Sequence, residues 1–528
     1  MPVLFKNATV IDGTASPRYN ANVLVMDSTI SAITPVSAHN ALPLDAFSST
    51  RVIDCTGKIL CPGFMDIHAH SDLEVLRNPS MSHKVQQGIT FDLSGNCGAG
   101  VYPRHPNDIP AFADILGHYE NWFWTDFKSY KDSIRPGINM GFLQPHSFLR
   151  MMAIEGNPNK KANKNEISKM CSLLEKSLDQ GCLGFSTGLY YAPCLFADHD
   201  ELISLLKVVH DKNAFFCVHH RCEGDEILQS IDEIIDLVRK TNVRLEVSHL
   251  KAIGRKNQDK MPEVLKKLHQ LKSDGFDVAF DQYPYEYGST SLFSLLPPKL
   301  LKLSPEDLSQ VLKKALTDKK LKDSIINEME SPHGWDSISE LCPWEDISIV
   351  TMESSPDFNG LKLSDVAKKL QMDPYQAFFY ILSRENGYAL MADITQSPQT
   401  LRMVFEDEMM CFGTDALYTG TAAHPRSANA AIHLLCTRCK NEHYSFELVI
   451  NKMTGKVANR LGLKDQGKIA QGYKANIVVF DAATLRDNST TENPFAMCTG
   501  LDFVMVNGVF ALDSGHLTGA QAGSVVVC

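Results

Sequence analysis

The run Pro62–His70 (PGFMDIHAH) decides the reading of this chain. Its residues alternate as in a strand, and a strand with that spacing turns His68 and His70 to one face, where two imidazoles can grip one metal ion. A chain with 18 histidines will often set two of them two apart, so the pair gains weight only from further ligands in corresponding places. Outward from this run, from Pro62 to about Leu463, strand-like runs alternate with helical stretches, the pattern of βα units around a parallel sheet. The first is GFMDIHAH, followed by GITFDLSGNCG (Gly88–Gly98), NMGFLQPH (Asn139–His146) and CLGFSTG (Cys182–Gly188). The remainder are AFFCVHH (Ala214–His220), RLEVSH (Arg244–His249), FDVAFDQY (Phe276–Tyr283) and MMCFGTD (Met409–Asp415). Between the fifth and sixth runs, Asp225–Lys240 carries Ile and Leu at helical spacing, which makes this the clearest βαβ unit. Eight such units predict an α/β fold, a (β/α)8 barrel of the TIM type.

At 528 residues the chain exceeds one ordinary core, and its two ends read differently from its middle. Short strands broken by turn signals fill the first 61 residues, and the same style returns in Gly467–Asp481 and Asp502–Leu512. Residues 1–61 and 465–528 are therefore expected to pair into one small β-sandwich domain, with the barrel of 62–464 between them. A long gap after the seventh run, with Lys-rich helical stretches such as Ser304–Asp323, predicts a subdomain inserted at about 290–351 near the barrel mouth.

The composition narrows the partners. With 51 Lys and Arg against 62 Asp and Glu, the net charge is −11, and no dense basic block occurs, which disfavours nucleic acid and anionic membranes and favours a small-molecule substrate. The amino terminus lacks the pattern of a signal peptide, and no stretch has the length and apolarity of a membrane span. Fourteen cysteines without a repeating framework suit reduced thiols, so a cytoplasmic location is expected. Cys436 and Cys439 form a CxxC inside a helical pattern without a second pair, a poor basis for zinc or redox work. Oligomeric state leaves no mark in the sequence.

Side chains at the carboxyl ends of barrel strands converge in space. The ends of the predicted runs bring His68 and His70, Cys97, His219 or His220, His249, and Asp415 together. Alternation lets only one of His219 and His220 face inward, and periodicity does not say which. Imidazole, thiolate and carboxylate are the ligands of Zn²⁺, and one shared thiolate or carboxylate accommodates a binuclear site. Zinc activates water at neutral pH and polarises a carbonyl, so amide hydrolysis is the natural chemistry, with Asp415 as the candidate proton shuttle.

These motifs resemble the amidohydrolase superfamily and, within it, the D-aminoacylase (N-acyl-D-amino-acid deacylase) family. The resemblance runs from VIDGTASP to NGVFALDSGHLTGAQAGSV and is carried by PGFMDIHAHSD, SGNCGAG, GFSTGLYY, VSHLKAIG, DQYPYEYGST and HPRSANA. It implies a tight zinc on Cys97, His219 and His249, a second, weaker metal on His68 and His70, and Asp415 as acid/base. By the same resemblance, Lys251, Tyr283 and Arg426 hold the substrate's α-carboxylate, a task suited to ammonium and guanidinium groups, with Ser289 and Tyr191 as further pocket residues. The implied activity is cleavage of N-acyl-D-amino acids to a carboxylate and a free D-amino acid.

The chain departs from the family pattern at QPHSFLR, which puts contributions of His146 and Arg150 in doubt, and at Val218 and Cys222 beside the fifth-strand histidine. Three alternatives carry less weight. A cyclic-amide hydrolase of the hydantoinase or dihydroorotase kind bridges its metals with a lysine at the end of the fourth strand, where this chain has GFSTG. A nucleobase deaminase would enlist Glu223, and a silent scaffold would have no need of the full ligand set.

Overall fold

The computed structural model describes residues 2–36, 50–104, 116, 122–385, 388–419, 424–491 and 493–527. Eight parallel strands follow one another around the barrel in chain order. They are β1 (Phe64–Asp66), β2 (Ile89–Ser94), β3 (Asn139–Pro145), β4 (Gly184–Gly188), β5 (Phe215–His219), β6 (Arg244–Val247), β7 (Val278–Gln282) and β8 (Met410–Phe412). Each expected run supplies one of them. Closure between β8 and β1 is made by Ile67 N donating to Phe412 O (3.2 Å), with Thr414 N and Asp415 N both reaching His68 O. That seam brings the two ends of the barrel sequence to one place.

Alternation explains why these segments are strands. In β5, Phe216 and Val218 face the surrounding helices, whereas Phe215 and Cys217 join Met65, Phe91, Leu93, Leu143 and Cys411 in an apolar cluster inside the barrel. Val457, Ala458 and Leu461 of the helix Gly455–Leu461 complete that cluster. The helix after β5, Ile227–Thr241, buries Ile227, Ile231, Ile234, Ile235 and Val238 as one stripe. It stops where Asn242 takes a left-handed conformation (φ 52°) and donates its N–H to Val238 O. Burying each such isoleucine stabilises the packing by about 1.5–3 kcal/mol.

A nine-stranded sheet joins the two ends of the chain. Its seam is Ile59–Pro62, which pairs antiparallel with Ile477–Phe480 and parallel with Val3–Val10. Phe5, Val10, Val23, Ile477, Val479 and Met505 form the core on one side of it. Since Pro62 lies only two residues before β1, this sheet anchors the first barrel strand directly.

Between β7 and β8, strands Tyr287–Ser291, Ala389–Ile394 and Ile347–Met352 form an antiparallel sheet in that order. Helices Pro305–Ala315, Lys319–Glu330, Leu363–Leu370 and Pro374–Leu382 pack around it through a core of its own, including Leu312, Ile349, Phe378 and Met391. The sheet therefore extends well past the stretch 290–351 that the Lys-rich helices mark. Among the described residues no helix is long and apolar enough to cross a membrane.

Candidate metal centre and substrate pocket

Beyond the carboxyl ends of the strands, five buried residues from β1, β2, β6 and β8 form two groups whose donor atoms lie within 4.8 Å of one another: His68, Cys97 and His249, and His68, His70 and Asp415. A third such group joins His219, Glu223 and His249. The Cys97 sulfur lies 3.4 Å from both His68 Nε2 and His249 Nε2. His219, the last residue of β5, adds its Nδ1 at 2.9 Å from His249 Nε2. Asp415 Oδ1 stands 3.2 Å from His70 Nε2 and 3.5 Å from His68 Nε2. These are the residue types and spacings of a zinc site, and the buried His70 keeps its Nδ1 without a hydrogen-bond partner among the described residues, so the donor set fits the metal.

The strand at the first histidine pair is shorter than the sequence implies. Only Phe64–Asp66 is strand, and His68 and His70 lie on its continuation, where hydrogen bonds to β2 and to the segment after β8 fix the backbone. Their rings stand 5.6 Å apart between centroids. Of the neighbouring pair on β5, His219 follows the inward-facing Phe215 and Cys217 into the site. His220 turns away to hydrogen-bond Ser230 Oγ on the next helix (3.0 Å).

Cys97 (φ 53°), His249 (φ 36°) and Asp415 (φ 50°) all hold left-handed backbone conformations. Such geometry costs about 1–3 kcal/mol per residue and persists only where surrounding bonds over-determine it. Here His249 N donates to Asp281 Oδ1 (2.9 Å) and Asp415 N donates to His68 O (2.8 Å). Asp281 also meets His68 Nδ1 at 3.1 Å, and thus fixes the ring of one histidine and the backbone of another. Beneath it, Asp66 Oδ1 accepts from His68 N and Thr414 N, while its other oxygen pairs with Lys84. Lys84 is fully buried and reaches Asp92 on β2 at 2.8 Å. This Asp66, Lys84 and Asp92 cluster ties β1, β2 and the segment after β8 together below the site.

Charge compensation sets the protonation states. Burial opposes the thiolate of Cys97, yet the surrounding His68, His249 and His219 hold its pKa well below the usual thiol range. Burial likewise opposes the Asp415 carboxylate, which the Arg426 guanidinium, His70, His249 and His68 hold well below its ordinary value. For His219, burial wins and keeps the imidazole neutral, the form that ligates a metal.

The pocket above these groups contains the remaining residues expected from sequence: Lys251, Tyr283, Ser289, Tyr191 and Arg426. Arg426 is 1% exposed, and its Nη1 lies 2.8 Å from Asp415 Oδ2 in an ion pair whose angle is not that of a hydrogen bond, leaving Nη1 and Nε without hydrogen-bond acceptors among the described residues. Its carbon Cζ sits 4.8 Å over the Tyr283 ring, and Lys251 Nζ lies 5.9 Å from the same ring. Lys251 Nζ also contacts Glu223 Oε1 (2.7 Å) and His249 Nδ1 (2.9 Å). Glu223, weighed from sequence only for deamination, lies 3.1 Å from His249 Nδ1 and links that ring to Lys251. Tyr191 Oη bonds Thr290 Oγ1 (2.8 Å), and its ring packs edge-on against His219.

His146 and Arg150 bind the same buried Glu201 carboxylate beside β3 and do not line this pocket. Asp66, Asp281, Lys84 and Asp92 escaped the sequence reading. Only Asp66 carried a signal, as the acidic residue two positions before His68 inside the opening motif.

Comparison with known proteins places this arrangement. The chain is 29% identical to an N-acyl-D-glutamate deacylase of Alcaligenes xylosoxydans xylosoxydans over 513 residues, covering 96% of this chain and 93% of that protein. It is 28% identical to a D-aminoacylase of the same organism over 528 residues, covering 99% and 97%. The crystal structure of N-acyl-D-glutamate deacylase from Bordetella bronchiseptica, complexed with zinc and a phosphonate inhibitor that mimics the tetrahedral intermediate, superposes with a TM-score of 0.83 at 26% identity. That superposition covers 100% of this chain and 99% of the other. The amidohydrolase family model matches residues 51–315, half of the chain, which reaches from the first sheet through β7. The protein therefore belongs to the amidohydrolase family.

Proposed function

We propose that the protein is a zinc-dependent hydrolase that cleaves the amide bond of N-acyl-D-amino acids to a carboxylate and a free D-amino acid. The observation that carries this reading is the Cys97 sulfur 3.4 Å from two imidazoles, within one pocket that also holds a cation pair stacked on Tyr283. Cys97, His219 and His249 are the residues we assign to a tight zinc, and His68 and His70 to a weaker one. Zinc bound there supplies Lewis acidity, activating water and polarising the acyl carbonyl.

The chain's own groups do the rest. Lys251, Tyr283 and Arg426 receive the α-carboxylate, and the free N–H groups of Arg426 provide directional donors for it. Asp415, ionised and held beside His68 and His70, takes the proton of the attacking water and passes it to the leaving nitrogen as the C–N bond breaks. Asp281 and Glu223 fix the rings of His68 and His249. Ser289, whose carbonyl accepts from Arg426 Nη2 (3.1 Å), and Tyr191 shape the pocket wall. A cyclic-amide hydrolase remains the weaker reading, since β4 ends as GFSTG without a lysine to bridge two metals.

In this reading the barrel of 62–464 carries the chemistry, and the β domain of 1–61 and 465–528 anchors it. The described cysteines are free thiols, which supports a cytoplasmic setting. The test is direct: purified protein analysed for zinc, then supplied with N-acetyl-D-methionine and its L enantiomer. Zinc-dependent release of free methionine from the D form is the expected result. Hydrolysis of hydantoin with no deacylation would transfer the assignment to the cyclic-amide class.

A further inference from the structure

One wall of the pocket is acidic. Asp336 and Asp393, contributed by the unit between β7 and β8, line it together with Glu223, and they are only 3% and 5% exposed. Among the described residues lining the pocket, Lys251 and Arg426 supply the only Lys or Arg charge. Each already faces a carboxylate, Lys251 that of Glu223 and Arg426 that of Asp415.

Asp336 accepts N–H bonds from Glu223 and Gly224 (2.9 Å for Gly224). Asp393 lies near the carboxylate clamp: a Cβ built on Gly288 would stand 3.4 Å from Asp393 Oδ1 and 3.3 Å from Tyr283 Oη. Burial pushes the Asp336 carboxyl up to about 7 and raises that of Asp393, so the negative charge of this wall is fullest above neutral pH. Tyr190, Ile253, Ile338 and Leu417 complete the wall with apolar surface.

A substrate's single α-carboxylate can share Lys251 and Arg426. A second carboxylate, on an acidic side chain, would enter against two buried acids and find no further cation, a juxtaposition that is unfavourable above pH 7, where Asp336 is ionised and where the comparison below is made. Overall similarity does not settle this point, because the full-length relatives include an N-acyl-D-glutamate deacylase, an N-acyl-D-aspartate deacylase and a D-aminoacylase at nearly equal identity. Resting on the function proposed above, we propose that Asp336 and Asp393 are specificity-determining residues that exclude N-acyl-D-amino acids with acidic side chains and reserve the pocket for neutral ones.

The test compares N-acetyl-D-glutamine with N-acetyl-D-glutamate, a pair of nearly equal shape that differs in side-chain charge, on the zinc-loaded protein. The expected kcat/KM ratio favours glutamine by on the order of 100-fold. Asp393→Asn and Asp336→Asn should each narrow that ratio about tenfold or more. Because the ratio is read within one variant, a general loss of activity cancels. Equal rates on the two substrates, or a ratio unmoved by both substitutions, would overturn the proposal. Should no N-acyl-D-amino acid be hydrolysed, the function itself fails. Dissociation constants of the same two compounds, measured by calorimetry on the zinc-loaded protein, then decide the pocket's preference separately. Tighter binding of the glutamine compound supports it, whereas equal or absent binding rejects it.

Discussion

The metal-binding side of the pocket and its acidic wall are built in opposite ways. His68, His70, Cys97, His219, His249 and Asp415 all stand just beyond barrel strands, with Asp281, Asp66 and main-chain bonds across the β8 to β1 seam fixing them. Ser289, Asp336 and Asp393 come from one inserted unit with its own sheet and its own core. The candidate reactive groups thus rest on the elements that close the barrel, whereas the wall that Asp336 and Asp393 line comes from a unit packed onto the barrel loops through Tyr190 and Ile253. Cys97, His249 and Asp415 hold left-handed conformations on the barrel side, where the surrounding frame over-determines them.

Substitutions on the two sides should separate accordingly. Cys97→Ala removes the sulfur shared by the imidazoles, and elemental analysis should show zinc and turnover lost together. If only KM changed, the metal side would not be where the chemistry resides. Asp415→Asn is next in size: kcat should fall about 10²–10⁴-fold with zinc retained, because the proton shuttle goes while the thiolate and imidazole ligands stay. Arg426→Ala tests the clamp, with a loss of roughly 1.5–3 kcal/mol, about 10- to 100-fold in kcat/KM for substrates bearing a free α-carboxylate. An N-acyl amine lacking that carboxylate should be affected less, losing only the share that comes from the broken ion pair with Asp415. Glu223→Gln should weaken zinc binding about 10- to 100-fold in chelator competition, since it loosens the orientation of His249. The smallest effect belongs to Tyr191→Phe, which deletes the bond to Thr290 that links the segment after β4 to the inserted unit. Thermal or denaturant unfolding should register about 1 kcal/mol.

The eight strands were readable from sequence because each is a short apolar run ending in a polar residue, and the residues at those ends are the ones the structure brings together as candidate metal ligands. The same logic failed within His219 and His220, where two adjacent imidazoles look equivalent until the inward positions of Phe215 and Cys217 are known. Asp281 and Lys84 went unread in the sequence, although the first bonds two histidines and the second is wholly buried between Asp66 and Asp92. The inserted unit was visible through its Lys-rich helices. Its return strand Ala389–Ile394, and with it Asp393, was not.

Backbone periodicity and the placement of apolar residues are local properties, so strand number, barrel class and the chemical types at the strand ends could be taken from the chain alone. Which ring turns inward, which acids meet which cations, and which loop walls the pocket depend on barrel closure and on burial shared by residues hundreds of positions apart. Those contacts form through solvent exclusion and charge pairing across the folded molecule, and no local pattern encodes them.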